Sequence, residues 1–313
     1  MSSREHHSAY DEETTARCER ALVTLLGDLG PWRERIYLAG GLAPRYLVGQ
    51  LPEGAPAHVG TTDIDLVIGL ALGDETPETY RTLQNNLEKA RFEQKEPSFR
   101  WARDVEGVTV VVEFLCETDE VATGRIFRPK GEFTGARLGA FNVRGAQLVR
   151  DDFIECEIEA ERLDGGGHSR VTVRVANVLP YTVLKIFAFQ DRHENKDAYD
   201  LVFTLLNHDG GPRSAGDLAA ASPIVKHEQV EEALPLLEER FRDARQDGPN
   251  GYALFLTEPD DEEAAARLRQ EAVATVREFL SGIRGRGQRA VSASGKPRYS
   301  STTSKMWALR GYM

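Results

Sequence analysis

The sequence predicts an α+β protein in which a mixed β-sheet domain is followed by a helical domain. Short apolar strands bounded by turn residues alternate with a few helices up to about residue 175, and helical patterns then continue almost to the end of the chain. The length of 313 residues is enough for roughly two domains. We therefore expect a sheet domain over 1–175, a helical domain over 176–283 and a basic tail over 284–313.

The first half of the chain supplies the elements of the predicted sheet domain. Apolar residues at helical spacing predict a helix over about 11–29. A buried strand, 36–39, leads through Gly40-Gly41 into a short helix over about 42–48, and a loop rich in Gly, Pro and Ala then precedes a strand over 63–68. The remaining elements are a helix over about 76–92 and strands over 99–104, 108–116, 153–159 and 171–175.

The second half of the chain has the apolar spacing of helices. We expect three of them, over about 180–208, 226–246 and 260–283. Glycine-rich segments at 209–211 and 247–249 are typical of breaks between helices.

Composition excludes several classes of protein. Hydrophobic residues make up 41% and charged residues 28% of the chain, which excludes global disorder. No run approaches the roughly 18 apolar residues that a membrane helix needs, so we expect no membrane partner. The N-terminus is polar and acidic, unlike a signal peptide, and Cys18, Cys116 and Cys156 lack metal-type or redox-type spacing. We expect free thiols and a cytoplasmic location.

Charge is unevenly distributed along the chain. The net charge of −11 argues against broad, nonspecific binding to nucleic acid. In contrast, the segment 284–313 has seven basic residues, three interleaved aromatic residues and no Asp or Glu. This tail either contacts RNA through phosphates and stacking or is a solubilising terminus.

A pair of carboxylates begins the strand at 63–68. Asp63 and Asp65 share one face of the strand because side chains alternate, while Ile64 faces the core. Adjacent carboxylates repel each other, and a hard cation such as Mg²⁺ stabilises them together with substrate phosphates. Glu113, inside an apolar strand, is the candidate third ligand. The three residues could hold divalent ions for phosphoryl or nucleotidyl transfer.

The glycine pair before this strand predicts a phosphate site. Gly40 and Gly41 allow the backbone to approach a triphosphate closely, and the N–H groups that follow can bind its oxygens. A Gly-Gly or an Asp-x-Asp alone is a weak signal. The order strand, Gly-Gly, helix, Asp-x-Asp strand and later acidic strand is more specific.

A second set of charged residues lies in the predicted helix 180–208. If that helix is continuous, Lys185, Arg192, Lys196 and Asp200 fall on one stripe. Lys185 has apolar neighbours, which favours a lysine that reaches toward a phosphate. The alternative is an exposed, salt-bridged face in which Lys196 pairs with Asp200 four residues later.

Together these residues resemble the nucleotidyltransferase (DNA polymerase β-like) superfamily, and within it the AbiEii-type toxins of type IV toxin–antitoxin systems, including the MenT-like tRNA nucleotidyltransferases. The resemblance covers about residues 22–208. The matching segments are Leu38-Ala39-Gly40-Gly41-Leu42-Ala43, Thr62-Asp63-Ile64-Asp65-Leu66, the strand acid Glu113, and the Lys185, Arg192, Lys196-Asp197 and Asp200-Leu201 positions.

The resemblance implies a nucleotidyltransferase-type catalytic sheet domain that transfers a nucleotide from an NTP. Asp63 and Asp65, with Glu113, would bind Mg²⁺ or Mn²⁺, and Gly40-Gly41 would hold the triphosphate. Lys185 would contact the phosphates together with Arg192 and Lys196. Asp200 would lie near the attacking hydroxyl or support Lys185. The implied acceptor is RNA, most often the 3′ end of tRNA, and a cognate antitoxin is the implied partner.

Two features depart from the family pattern. The 21 residues between Gly41 and Asp63 form a longer loop than usual, and Gly-Gly replaces the superfamily's common Gly-Ser. His58 lies in that loop, where we expect an ordinary loop histidine. Two other functions stay open: a small-molecule nucleotidyltransferase of the antibiotic-modifying type, and a non-catalytic nucleotide-binding descendant of the fold.

Overall fold

The computed structural model describes residues 6–9, 12–27, 30–51, 55–68, 77–96, 99–128 and 138–293. It is a mixed α/β structure in which a sheet is followed by packed helices. None of the helices in these ranges combines the length and the apolar character that a bilayer crossing needs. The expected tail lies outside the described residues from 294 onward.

The sheet of the described residues is open and mixed. Its strands are β1 (Ile36–Ala39), β2 (Asp63–Ile68), β3 (Glu93–Lys95), β4 (Arg100–Val105), β5 (Val108–Cys116), β6 (Ile126–Phe127), β7 (Ala140–Asn142), β8 (Phe153–Glu161) and β9 (His168–Ala176). Their order is β3-β4-β5-β2-β1-β9-β8, with β7 paired to β5 and β6 paired to β7. β2 is antiparallel to β1 and parallel to β5, so it connects the predicted glycine turn to the predicted third acid.

The helices lie mainly after the sheet. They are α1 (Glu12–Gly27), α2 (Pro44–Leu47), α3 (Pro77–Lys89), α4 (Leu148–Asp151), α5 (Val178–Arg192), α6 (Asn195–Leu206), α7 (Gly211–Ala220), α8 (Glu228–Arg240), α9 (Asp247–Leu256) and α10 (Glu262–Ala293). Two apolar cores result. One packs α1 and α3 on the sheet, and the other is formed by the helices from α5 onward.

The alternation predicted for β2 is confirmed. Ile64 and Leu66 are fully buried in the core under α1, whereas Asp63 and Asp65 are half-buried on the opposite face. That opposite face is where α5 approaches, and the cleft described below lies between them.

The predicted helix 180–208 is in fact two helices. His193 adopts the left-handed conformation, with φ at 51°, and ends α5, after which α6 begins at Asn195. Lys185 and Arg192 therefore belong to one helix, and Lys196 and Asp200 to the next. The prediction of one continuous helix was wrong, and no glycine or proline in the sequence marks the break.

Two helices, α7 and α9, were not predicted because the sequence indicates only breaks between other helices at the glycine-rich segments where they begin, 209–211 and 247–249. Gly210 in the left-handed conformation precedes α7, and a proline occupies its first turn. Pro249 lies in the first turn of α9. Proline is compatible with a first turn because the N–H that it lacks would have no helical partner there. The last helix, α10, also continues to Ala293 rather than ending at 283.

Candidate active site in a cleft between the sheet and α5

The strand register brings the predicted acids to one face of the sheet. Asp65 is paired with Glu113 across the parallel strands β2 and β5, and Glu113 is paired with Arg100 of β4. Asp63, two residues before Asp65, lies on the same face opposite Val111. We call Asp63, Asp65 and Glu113 the acidic row.

Gly40 makes room for this acidic row. A Cβ atom at Gly40 would lie 1.6 Å from Oδ2 of Asp65, and the residue has a φ of +64°, which other residues rarely adopt. At Gly41 a Cβ would lie 2.8 Å from Oγ1 of Thr61 and 2.9 Å from Nζ of Lys196. The glycine turn therefore fits between the acidic row and Lys196. A side chain at either glycine would push these groups apart.

The carboxylate of Asp65 has no counterion at hydrogen-bonding distance among the described residues. No described residue donates a hydrogen bond to it, whereas Asp63 accepts one from Thr61 Oγ1 at 2.6 Å. Burial, followed by the charges of Asp63 and Glu113, raises the pKa of Asp65 to about 7. A carboxylate in this environment favours a bound cation.

Glu113 is partly neutralised by an arginine. Nε of Arg100 donates to Glu113 Oε1 at 2.7 Å, and the Arg100 side chain is 45% exposed. Burial nevertheless raises the pKa of Glu113, because the opposing effect of Arg100 is smaller. The third predicted acid is thus next to Asp65, with an exposed arginine as its partner.

The helices α5 and α6 contribute a second group, the charge network, made of Lys185, Arg192, Lys196, Asp197 and Asp200. Lys185 Nζ donates to Asp200 at 2.7 Å and to Asp197 at 3.1 Å. Lys196 Nζ is 2.9 Å from both Asp200 oxygens, and Arg192 contacts Asp197 through two nitrogens at 2.7 and 2.8 Å. The helical hairpin therefore brings together the residues that the sequence assigns to a single stripe.

These charges are mutually satisfied. Burial alone would raise the pKa of Asp200, but Lys185 and Lys196 hold it below its ordinary value. Burial likewise disfavours the charged form of Lys185, yet Asp200 and Asp197 raise its pKa well above the usual range. Asp200 is fully buried, so Lys196–Asp200 is an internal pair, not the exposed one of the alternative interpretation. The contact with Lys185 agrees with a supporting role for Asp200.

His58 contacts this charge network through Asp200, so the expectation of an ordinary loop histidine was wrong. Its Nε2 lies 2.9 Å from Asp200 Oδ1, while its Nδ1 accepts the backbone N–H of Gly60 at 3.1 Å. A ring nitrogen that accepts carries no proton, so the imidazole is neutral and donates through Nε2. Burial lowers the pKa of His58, in agreement with the neutral form. The loop's position before the acids was the only signal in the sequence.

A cleft of about 410 Å³ separates the sheet from α5. Asp65 and Glu113 line it from the sheet, and Lys185 and Arg192 line it from the helix. Arg192, with a side chain 52% exposed, is the more accessible of the two cations. Gly40 also lines the cleft, whereas Gly41, Asp63, Lys196 and Asp200 are not part of its described lining.

The carboxylates of the acidic row are near one another without forming a closed metal cage. Among the described residues, the ligand atoms of His6, His7 and Glu258 form the one group of three that all lie within 4.8 Å of one another. A cation on the acidic row would therefore need further ligands from phosphate and water, as Mg²⁺ commonly has.

Two further arginines of the sheet region, Arg45 and Arg103, have other partners. Arg45 pairs with Glu12 and Glu19, and Arg103 donates to backbone carbonyls. Neither belongs to the described lining of the cleft.

Comparison of the chain with family models, with curated proteins and with solved structures finds no match. A functional hypothesis therefore depends on the geometry of the cleft and on the sequence motifs.

Proposed function

We propose that the protein is a Mg²⁺-dependent nucleotidyltransferase that moves a nucleoside monophosphate from an NTP to a hydroxyl acceptor. The observation that carries the proposal is the Asp65 carboxylate, which has a raised pKa and no donor among the described residues, in the same cleft as Lys185 and Arg192. A triphosphate with its cation has the charges that complement both walls of this cleft.

The residues of the acidic row fit a hard divalent cation. Asp63, Asp65 and Glu113 offer oxygen ligands only, and the glycine at position 40 leaves the space beside Asp65 open. These residues would hold Mg²⁺ or Mn²⁺. When bound, the ion would neutralise charge on the triphosphate and make the α-phosphorus more electrophilic.

The remaining residues of the cleft orient and neutralise the triphosphate. Arg192 reaches the cleft while Asp197 fixes its guanidinium, and Lys185 adds positive charge from behind. The hydroxyl oxygen of the acceptor then forms a bond to the α-phosphorus, and the bond from that phosphorus to the bridging oxygen breaks. Pyrophosphate leaves, and the proton of the hydroxyl passes to solvent.

The proposed acceptor is RNA, first of all the 3′ end of tRNA, and the proposed cellular role is that of a toxin restrained by a cognate antitoxin. The support is the motif resemblance. The charged side chains that line the cleft are balanced in number, with four acidic residues (Asp65, Glu113, Asp191 and Asp197) and four basic residues (Arg100, Arg144, Lys185 and Arg192). This balance gives no preference for the cationic acceptor of an antibiotic-modifying enzyme. Glu113 lies directly beside Asp65 in the register of β2 and β5, which favours a catalytic protein over a non-catalytic descendant.

The test is transfer of label from each α-³²P NTP to total tRNA with Mg²⁺, using wild-type protein and Asp65→Asn. Glu159→Gln is the matched control, since Glu159 is an exposed acid paired with Arg170 on the β8–β9 hairpin. We expect label on tRNA with the wild type and with the control, and none with Asp65→Asn. Absence of transfer and of NTP binding in the wild type would refute the proposal.

A further inference from the structure

The cleft has an apolar half that the transfer chemistry does not use. Leu115 and Phe141 line it from the sheet, Leu184 and Phe187 line it from α5, and Arg144 lies at its edge. We call these five residues the aromatic half. The acids and cations described above form the other half.

The two halves are adjacent. Leu115 lies two residues beyond Glu113 on β5, hence on the same face about 7 Å further along, and it is paired with Phe141 of β7. On the helix, Leu184 directly precedes Lys185. On each wall of the cleft, the apolar side chains are therefore immediate neighbours of the charged ones.

The rings of the aromatic half are already ordered by their neighbours. Phe141 stacks on Phe99, with ring centroids 5.0 Å apart and an interplanar angle of 25°. The guanidinium carbon of Arg144 lies 4.4 Å from the centroid of the Phe187 ring, and Glu232 pairs with the same arginine. Stacked rings and a flat cation form a surface that suits a planar aromatic ligand.

We propose that the aromatic half binds the nucleobase of the incoming NTP. This inference rests on the proposed function and names the part of the substrate that this half of the cleft recognises. A nucleotide has its charges at one end and a flat ring at the other, which is the same division that the cleft has. A metal or an inorganic phosphate would leave the aromatic half empty.

A second planar base could occupy the aromatic half, namely the terminal base of an RNA acceptor. The base of the NTP is favoured because the aromatic half directly adjoins Lys185 and the acidic row, to which its own phosphates bind. The experiment separates these sources.

The experiment measures binding of each of the four NTPs and of inorganic tripolyphosphate by calorimetry in Mg²⁺ without acceptor. The variants are Phe141→Leu and Arg144→Gln. Arg174→Gln is the matched control, because its guanidinium lies 4.7 Å from the Phe153 ring, the same arrangement at the other end of the sheet.

We expect the wild type to bind at least one NTP about tenfold or more tightly than tripolyphosphate. Phe141→Leu weakens that NTP about tenfold and Arg144→Gln about threefold, while tripolyphosphate binding stays unchanged in both. The control changes neither ligand.

Four results would overturn the inference. Equal losses for NTP and tripolyphosphate would mean that the variants disturb the phosphate site. Unchanged NTP binding with a raised KM for tRNA would assign the aromatic half to the acceptor. If neither ligand bound to the wild type, the proposed function would fail as well, whereas tripolyphosphate binding without preference for any NTP would remove this inference alone.

Discussion

The acidic row and the charge network are two groups of charges near one cleft, and they differ in how they are neutralised. Asp197 and Asp200 are almost completely buried, and each contacts two cationic side chains within 3.1 Å. Asp65 is more exposed, yet no described residue donates to it.

The carboxyl pKa values of the two groups shift in opposite directions, because only the charge network has enough nearby cations to outweigh burial. The pKa values of Asp197 and Asp200 are lowered, because nearby cations outweigh burial. Those of Asp65 and Glu113 are raised, because burial and like charges dominate. The charge network is a frame that orients its neighbours, and Asp65, to which no described residue donates, is where an external cation gains the most. Charged residues that the sequence assigns to one site can thus have different physical roles.

The largest effect is expected from breaking the frame. Asp200→Asn leaves Lys185 and Lys196 without full compensation in a buried site, so the free energy of unfolding should fall by about 3–5 kcal/mol at pH 7, measured with urea. The control Glu278→Gln removes an exposed partner of Arg213 and should cost at most about 1 kcal/mol. Equal losses in the two variants would show that the frame contributes no more than a surface pair.

The pH dependence of that difference has a defined sign. A lowered carboxyl pKa stabilises the folded state above the ordinary value near 4, and this contribution is lost as the pH falls through the lowered pKa. The difference in free energy of unfolding between wild type and Asp200→Asn should therefore have its full value at pH 7 and decrease below about pH 4.

The second prediction tests the space beside the acidic row. Gly40→Ala places a Cβ where Oδ2 of Asp65 lies, and we expect transfer activity to fall about a hundredfold or more. Gly107→Ala is the control, since Gly107 also has a positive φ, of +83°, but a Cβ there meets nothing within 4 Å. Both variants should lose about 1 kcal/mol of stability from backbone strain, and Gly40→Ala should lose about 1–3 kcal/mol more because the Asp65 side chain must move. Comparable activity in the two would contradict the role of Gly40.

The third prediction concerns the unpaired carboxylate itself. The pKa of Asp65, raised to about 7, means that ionisation destabilises the metal-free fold increasingly as pH rises from about 4 to 7, and fully above it. Asp65→Asn should therefore stabilise the metal-free protein by about 1–2 kcal/mol at pH 8 and by almost nothing at pH 4, measured by urea unfolding in EDTA. A loss of stability at pH 8 would show that Asp65 has a favourable partner.

The smallest effect is expected at the arginine that partly occupies the acidic row. Arg100→Gln frees Glu113, so Mn²⁺ should bind about twofold to fivefold more tightly. Arg170→Gln, which releases Glu159 on a distant hairpin, should change nothing. Weaker Mn²⁺ binding in Arg100→Gln would mean that Arg100 supports the site instead of competing for it.

Much of the sheet follows from sequence, and the helical half does so less completely. The apolar pattern predicts β1 and β2 with the bounds that the structure has, because a short buried strand between turn residues has few alternatives. The break at His193 has no such marker, and the glycine-rich segments 209–211 and 247–249 lead into the helices α7 and α9, where only breaks were expected.

The sequence likewise predicts only part of the candidate site. Period-two alternation is enough to place Asp63 and Asp65 on one face, since it is a local property of a strand. The neighbours of each charge are not local. Arg100 reaches Glu113 through strand pairing, and His58 reaches Asp200 across 142 positions of the chain. Which carboxylates are paired and which are not could be learned only from the folded structure.

The most direct test of the central claim is a titration of Mn²⁺ followed by electron paramagnetic resonance, on wild type, Asp65→Asn and the control Glu159→Gln. If the acidic row is the cation site, Asp65→Asn should bind Mn²⁺ about tenfold or more weakly than the wild type, and the control should bind it equally well. Equal Mn²⁺ affinity in Asp65→Asn and the wild type would contradict the account.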